Sequence, residues 1–171
     1  MSKRTKTSSA LNNPQNFWVT PVGPIHKLAR HLPFGLIFDE PCAGDGAILR
    51  GLAPFGIICG AAHDMTPRAE GIVPGDATRL PLSGRPIITN PPYGWPLLKP
   101  LLDHWVGRAE CWLLLPWDMP CNVRMSPYAA HIDRILPLGR VKWIVGSKST
   151  GMENSGWFHF DIARQGLILP R

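Results

Sequence analysis

Residues 86–93 read PIITNPPY, a short apolar run that ends in an amide, two prolines and an aromatic ring. The run reads as a buried strand, and the prolines stop it because neither can donate to a sheet ladder. What is left at the strand end is rich in acceptors. The side-chain oxygen of Asn90 and the carbonyl of Pro91 are neighbouring acceptors, and the fixed φ of Pro91 and Pro92 holds them in one geometry. Tyr93 adds a flat ring on which a planar ligand could stack. The plain alternative is a rigid turn followed by a core aromatic.

Three further strand ends carry suggestive residues. In FDEPCAGDGAIL, Glu40-Pro41 closes an apolar run, Gly44-Asp45-Gly46 turns, and a helix-compatible piece follows. Glycines there let backbone N–H groups approach a ligand, and a helix N-terminus adds a positive dipole end. Leu49 leaves the dinucleotide pattern G-x-G-x-x-G incomplete. Asp64 ends the next run, near the ~20-residue offset at which an acid meets ribose hydroxyls in a βαβ unit. A helix-capping Asp is the alternative there. Asp76, in PGDATRLP, could accept from an adenine amino group or make an Asx turn. Each acid is ambiguous by itself; three in chain order, one per strand end, are not.

These residues need a scaffold that brings strand ends together. Apolar runs recur at 35–39, 56–64, 71–73 (weak), 86–90, 110–116, 141–145 and 157–163. Helix-compatible pieces lie at 23–32, where Ile25, Leu28, Ala29 and Leu32 share a face, and at 47–53 and 95–107. A further helix is expected over 122–136, interrupted by Pro127. Near-continuous apolar strands alternating with helices predict an α/β sandwich with a mostly parallel sheet covered on both faces. The last two runs follow one another without a helix and predict a C-terminal antiparallel hairpin. Between Asp64 and Asp76 there is room for barely a turn of helix, so one crossover helix is expected to be reduced. In such folds ligands sit beyond the carboxyl ends of the strands.

Composition bounds the partners. Lys and Arg total 18 against 12 Asp and Glu, a net charge of +6 in 171 residues. Half of that excess is Lys3, Arg4 and Lys6, in an opening segment (1–16) that is polar, aperiodic and expected to be a disordered basic tail. Residues 17–171 are expected to form one domain with no separate target-recognition domain. The basic excess is compatible with a polyanionic partner without demanding one. The start lacks an apolar signal region and no run approaches a membrane span, which predicts a cytoplasmic protein with no membrane partner. Cys42, Cys59, Cys111 and Cys121 lack C-x-x-C spacing and read as buried reduced thiols, and no metal is expected.

Taken together and in order, FWVTPVGPIHKLARHL, DEPCAGDG, Asp64, Asp76 and NPPY resemble the class I S-adenosylmethionine-dependent methyltransferases. More narrowly, they resemble the amino-group enzymes that act on adenine N6 in DNA, and RVKWIVGSKSTGMENSGWFHFD resembles the closing hairpin of small phage-type members. The resemblance spans roughly 17–162. It implies a Rossmann-like sandwich with seven strands and S-adenosyl-L-methionine as cofactor. It implies Thr20 and Pro21 beside the methionine carboxylate of that cofactor. It also implies Glu40, Pro41, Cys42, Gly44 and Gly46 along the amino-acid and ribose portion, Asp64 on the ribose, and Asp76 with Ala77 at the adenine. Asn90, Pro91, Pro92 and Tyr93 become the catalytic clamp, with Tyr93 stacking a base swung out of its helix. The implied partner is nucleic acid, with DNA first and RNA as the alternative. Other acceptors for the same clamp are the amino group of cytosine and the amide of a protein glutamine. A non-catalytic binding protein on the same fold is the rival of another class, and an intact Asn-Pro-Pro-Tyr speaks against it. The chain departs from the pattern in the short stretch between Asp64 and Asp76, and it has no insertion large enough for target recognition.

Other residues carry less. Trp112, Trp143 and Trp157 lie within apolar runs and read as core. Trp95 and Trp117 follow strand ends and could flank a flipped base. Phe17 and Trp18 could cover the cofactor or staple the first helix. GSKSTG (146–151) lacks phosphate-loop order and reads as a hairpin loop. Its Lys148, with Arg124, Arg140 and Lys142, is a candidate for phosphate contact or plain surface. ENSGW (153–157) could line a target pocket.

Overall fold

The computed structural model describes residues 18–143 and 153–163. Its helices are α1 (Val22–Ala29), α2 (Ala47–Leu52), α3 (Trp95–Trp105) and α4 (Ser126–Ala129). Its strands are β1 (Ile37–Glu40), β2 (Ile58–Asp64), β3 (Val73–Pro74), β4 (Ile87–Thr89), β5 (Cys111–Pro116), β6 (Ile132–Arg140) and β7 (Asn154–Phe160). They form a seven-stranded sheet in the order β3-β2-β1-β4-β5-β7-β6. From β3 to β5 the pairing is parallel, and β7 runs antiparallel to both β5 and β6.

The period-two geometry of β5 shows how the core divides. Cys111, Leu113 and Leu115 face α3, packing with Leu98, Leu102 and Trp105. Trp112 and Leu114 face the other way, with Ile25 and Leu28 of α1 and Ile48 and Leu52 of α2. Because both faces are covered, the run is apolar at every position instead of alternating. α1 and α2 approach closely at Gly51, where a Cβ would lie 2.7 Å from Ile25 Cγ2. Helices on both sides of β4 thus fix the strand that ends at Asn90.

The sheet thins at one end. No helix forms between β2 and β3, as the short spacing predicts, and residues 75–86, between β3 and β4, form none either. Ile37, Ile58 and Val73 are consequently about half exposed on an uncovered part of the sheet. An ion pair of Arg85 with Asp39, 2.9 Å, straps that face, and Ser83 also donates to Asp39.

The C-terminal half corrects three expectations. Over 122–136, where one helix was expected, the chain makes a 3₁₀ turn (Val123–Met125) and the single turn of α4, with another 3₁₀ turn (Met119–Cys121) just before them. Ile132, Ile135 and Leu136, which fit a helical face, belong instead to β6, paired with Phe160, Phe158 and Trp157. Pro137 would break a helix there, whereas a strand accommodates it at a register shift between Pro137 and Gly139. The first arm of the hairpin is therefore 132–140, and 141–143 of the expected strand 141–145 lie outside any strand. Third, the cysteines are free thiols, but only Cys111 is fully buried and Cys121 is exposed. The basic tail, Phe17, and the loop 146–151 with Lys148 lie outside the described residues. Among the described residues no helix is long and apolar enough to cross a membrane.

Candidate active site

A cavity of about 1080 Å³ opens beyond the carboxyl ends of β1, β2 and β4. Of the expected residues, Thr20, Glu40, Pro41, Cys42, Gly44, Asp64, Asp76, Ala77, Asn90, Pro91, Pro92 and Tyr93 line it. Pro21 and Gly46 stand one step back. Pro21 caps α1 in an extended conformation, and Gly46 caps α2 with φ +76°. That φ is open to glycine and strained for other residues.

The glycine turn is held shut by its neighbours. Asp64 Oδ2 accepts the Gly44 N–H at 2.8 Å, and its Oδ1 accepts the Thr66 N–H at 2.7 Å. The Ala43 N–H donates to the His63 carbonyl at 2.8 Å. Asp64 is therefore a cap and a cavity wall at once, and each carboxylate oxygen keeps acceptor capacity for a ligand hydroxyl. Asp76 forms the Asx turn, its Oδ1 accepting both the N–H (3.0 Å) and the hydroxyl (2.7 Å) of Thr78. Those bonds lower its pKa.

Glu40 is the exceptional acid. It is 1% exposed, and its Oε2 has no hydrogen-bond partner among the described residues. Burial, then the nearby carboxylates of Asp45 and Asp64, push its pKa well above the ordinary 4.5. An unpartnered buried carboxyl among acids is costly unless a donor or cation arrives to meet it. An amino-acid ammonium would do so, and the glycine cradle and ribose-distance acid beside it fit the cofactor that the sequence implies. Burial, with Asp64 and Glu40, also pushes the Cys42 thiol far up, so Cys42 is a packing group and no thiolate nucleophile.

At the end of β4, Asn90 is held at both ends of its carboxamide. Nδ2 donates to Thr20 Oγ1 at 3.2 Å, and Oδ1 accepts the Tyr93 hydroxyl at 2.8 Å. Tyr93 is not displayed as an open platform. Its ring meets Trp143 edge-on at 6.4 Å, and Trp143 meets Trp18 edge-on at 6.3 Å. Trp112 and Trp157 are core as expected, and Trp143 packs against the same core while its ring also buttresses Tyr93. Trp18 lines the cavity.

Sequence reasoning missed Met65 and Thr66 after β2 and Leu97, Pro100 and Leu101 of α3, all of which line the cavity. The three α3 residues share one helical face, a signal that was available. Trp95 and Trp117 do not reach it: Trp95 packs on Tyr128 under the Arg124 guanidinium (4.7 Å), and Trp117 packs on Phe158. Arg140 and Lys142 are exposed, and Ser155 and Gly156 of ENSGW are buried in β7.

No family model matches the sequence, and no curated protein matches it. Solved structures do resemble the fold. A Pyrococcus horikoshii protein designated an RNA methyltransferase, PH1948, superposes with a TM-score of 0.61 at 16% identity, covering 84% of this chain and 86% of that one. The M protein of the type I restriction enzyme EcoKI gives 0.57 at 12% identity, covering 92% of this chain and 47% of its own. A Listeria monocytogenes protein designated a class I S-adenosylmethionine-dependent methyltransferase gives 0.57 at 11%, covering 91% and 64%. The chain spans under half the length of the restriction subunit. Its architecture is that of the Rossmann-like class I methyltransferases.

Proposed function

We propose that the chain is an S-adenosylmethionine-dependent methyltransferase acting on an exocyclic amino group, with adenine N6 in DNA as the leading acceptor. The observation that carries this reading is the Asn90 carboxamide, tied to Thr20 and opening on the same cavity as the unpartnered Glu40 and the Asp64-braced glycine turn.

When bound, S-adenosylmethionine supplies an electrophilic methyl group on a sulfonium. Glu40, the Gly44 turn and Asp64 would hold that cofactor, with Asp76 and Ala77 at its adenine end. Its positive charge would meet the Glu40 carboxylate. Asn90 Oδ1 and the Pro91 carbonyl would accept the two N–H bonds of the target amine, whose lone pair is otherwise delocalised into its ring. Holding both hydrogens frees the lone pair and stabilises positive charge as it develops on nitrogen. The site then needs no strong general base, because orientation and fixed dipoles lower the barrier. Thr20 links the two halves, a cavity wall that also sets which end of Asn90 faces the target.

RNA is the second reading, favoured by the likeness to PH1948, whose length the chain nearly matches. Labelled S-adenosylmethionine with DNA and RNA, followed by nucleoside mass spectrometry, separates the two. The expected product is 6-methyladenine in DNA; 4-methylcytosine would change the base, and label in RNA alone would change the polymer. Asn90→Ala should cut turnover by roughly 10²- to 10³-fold, the usual cost of one preorganised polar group. Cofactor affinity, measured by calorimetry, should change by less than about threefold. Persistent turnover in that variant would remove the clamp from the mechanism.

A further inference from the structure

Among the described residues the cavity is lined by four acids, Glu40, Asp45, Asp64 and Asp76, against the single cation Arg68. That sign suits a sulfonium ligand and repels phosphates, so a polyanion that sends a base inside must keep its backbone on the rim. Arg124 is placed to meet it there. It is exposed and has neither an ion pair nor a hydrogen bond among the described residues. Arg50, Arg79, Arg85, Lys99 and Arg134, by contrast, each meet an acid. Arg124 is nevertheless braced. Its guanidinium carbon stands 4.7 Å from the centroid of the Trp95 ring, a contact with the indole face that leaves its N–H donors free. Trp95 in turn packs edge-on against Tyr128, whose hydroxyl donates to Asp103 of α3. Met125, next in the chain, is fully buried. The position is close to the clamp: Trp95 opens α3 two residues after Tyr93, and Arg124 lies in the segment that leaves the carboxyl end of β5, the neighbour of β4. β6 runs the same way as β5, because both are antiparallel to β7. Its far end therefore adds exposed Arg140 and Lys142 to the same rim, against exposed Asp118 and Glu153.

We propose that Arg124, braced on Trp95, anchors a backbone phosphate of the nucleic acid whose base enters the cavity. The proposal rests on reading the site as an amino-group methyltransferase acting on a nucleic acid, and names the residue that positions the strand. The guanidinium fork can give two parallel N–H bonds to one phosphate. Such a contact fixes where the strand lies and reads no base. Arg124 is therefore a positioning residue, acting on substrate affinity and leaving the choice of base to the cavity.

The probes are a random-sequence DNA duplex pool and an RNA pool of equal length. Affinity is measured across a salt series with S-adenosylhomocysteine present, and methylation with S-adenosylmethionine. Losing one phosphate contact flattens the slope of log affinity against log salt by about 0.9 on duplex DNA. Arg124→Ala should show that loss, and should raise the KM for DNA about three- to tenfold at low salt, with kcat changing less. Arg124→Lys keeps the charge and should restore the slope, whereas a residue that merely holds Trp95 would leave the slope unmoved in both variants. Arg108→Ala removes the same charge from the turn before β5, at the opposite end of the sheet, and should leave the slope as it is. Methylation of DNA with an unchanged slope in Arg124→Ala, or with an equal change in Arg108→Ala, overturns the anchor and spares the functional reading. A slope loss confined to the RNA pool supports the anchor and assigns it to an RNA strand. If the wild type methylates neither pool, the functional reading falls. The anchor falls with it when the slope is unmoved, and stands as a nucleic-acid contact when the slope drops.

Discussion

Glu40 ties the chemistry of the cavity to pH. Its pKa is raised by burial and by the neighbouring acids, so above about 4.5 the folded chain holds a proton that the unfolded chain has released. Folded stability from this group is therefore greatest at low pH and declines as pH rises towards the shifted value. A cationic ligand favours the ionised form, so binding should release a proton, and cofactor affinity should rise with pH until Glu40 is already ionised. Titration calorimetry in two buffers of different ionisation enthalpy should count that proton in the wild type and none in Glu40→Gln. Equal proton release in the two proteins would assign the ligand charge to another partner. Many of the residues lining the cavity were legible from residue types, because three acids and a glycine turn fall in chain order at successive strand ends, even though Asp64 and Asp76 also serve as cap and Asx turn. The Tyr93–Asn90 bond was not legible. It depends on a side-chain direction that the NPPY spacing leaves open, and it is closed by Trp143, a residue fifty positions away in the chain that reads as core.

Helices and strands repeat the lesson with different physics. α1, α2 and α3 follow from apolar periodicity and end near the expected positions. β6 did not, because Ile132, Ile135 and Leu136 suit a helical face and a strand alike. Pairing along β7 decided between them, and a partner strand more than twenty residues away leaves no local mark. Gly51 of α2 gives a prediction in which two effects oppose. Alanine in a helix gains about 1 kcal/mol over glycine. Its Cβ would meet three atoms of Ile25 at 2.7, 3.1 and 3.3 Å, and Ile25 is 1% exposed with nowhere to go. Overpacking of this kind costs about 1–3 kcal/mol. Gly51→Ala should thus lower stability by about 0–2 kcal/mol in urea unfolding, and a clear gain would mean that α1 slides freely over α2.

Across the whole molecule, chemistry and cohesion sit at opposite ends of the sheet. His159 of β7 is 1% exposed, and its ring nitrogens meet the carboxylates of Glu110 at 2.7 Å and Asp133. Arg134 braces both the ring and Asp133. This polar knot joins the start of β5 to β6 and β7, away from the strand ends that build the cavity. His159→Leu removes the ring that both carboxylates meet, and should cost about 2–3 kcal/mol, less than the full loss of a buried pair because Glu110 is half exposed. Turnover per folded molecule, measured well below the unfolding temperature, should hold. A matching loss of turnover would show that the two ends are coupled.

The rims of the sheet have a consequence of their own. A free edge offers a template on which a stranger's backbone can zip up, and here each rim carries an imino acid that has no hydrogen to offer: Pro74 in β3 and Pro137 in β6. The β3 rim is moreover only two residues long. Fibrous growth by edge-to-edge addition is frustrated on both sides, so this small enzyme-like fold can leave a sheet face bare without inviting its copies to polymerise.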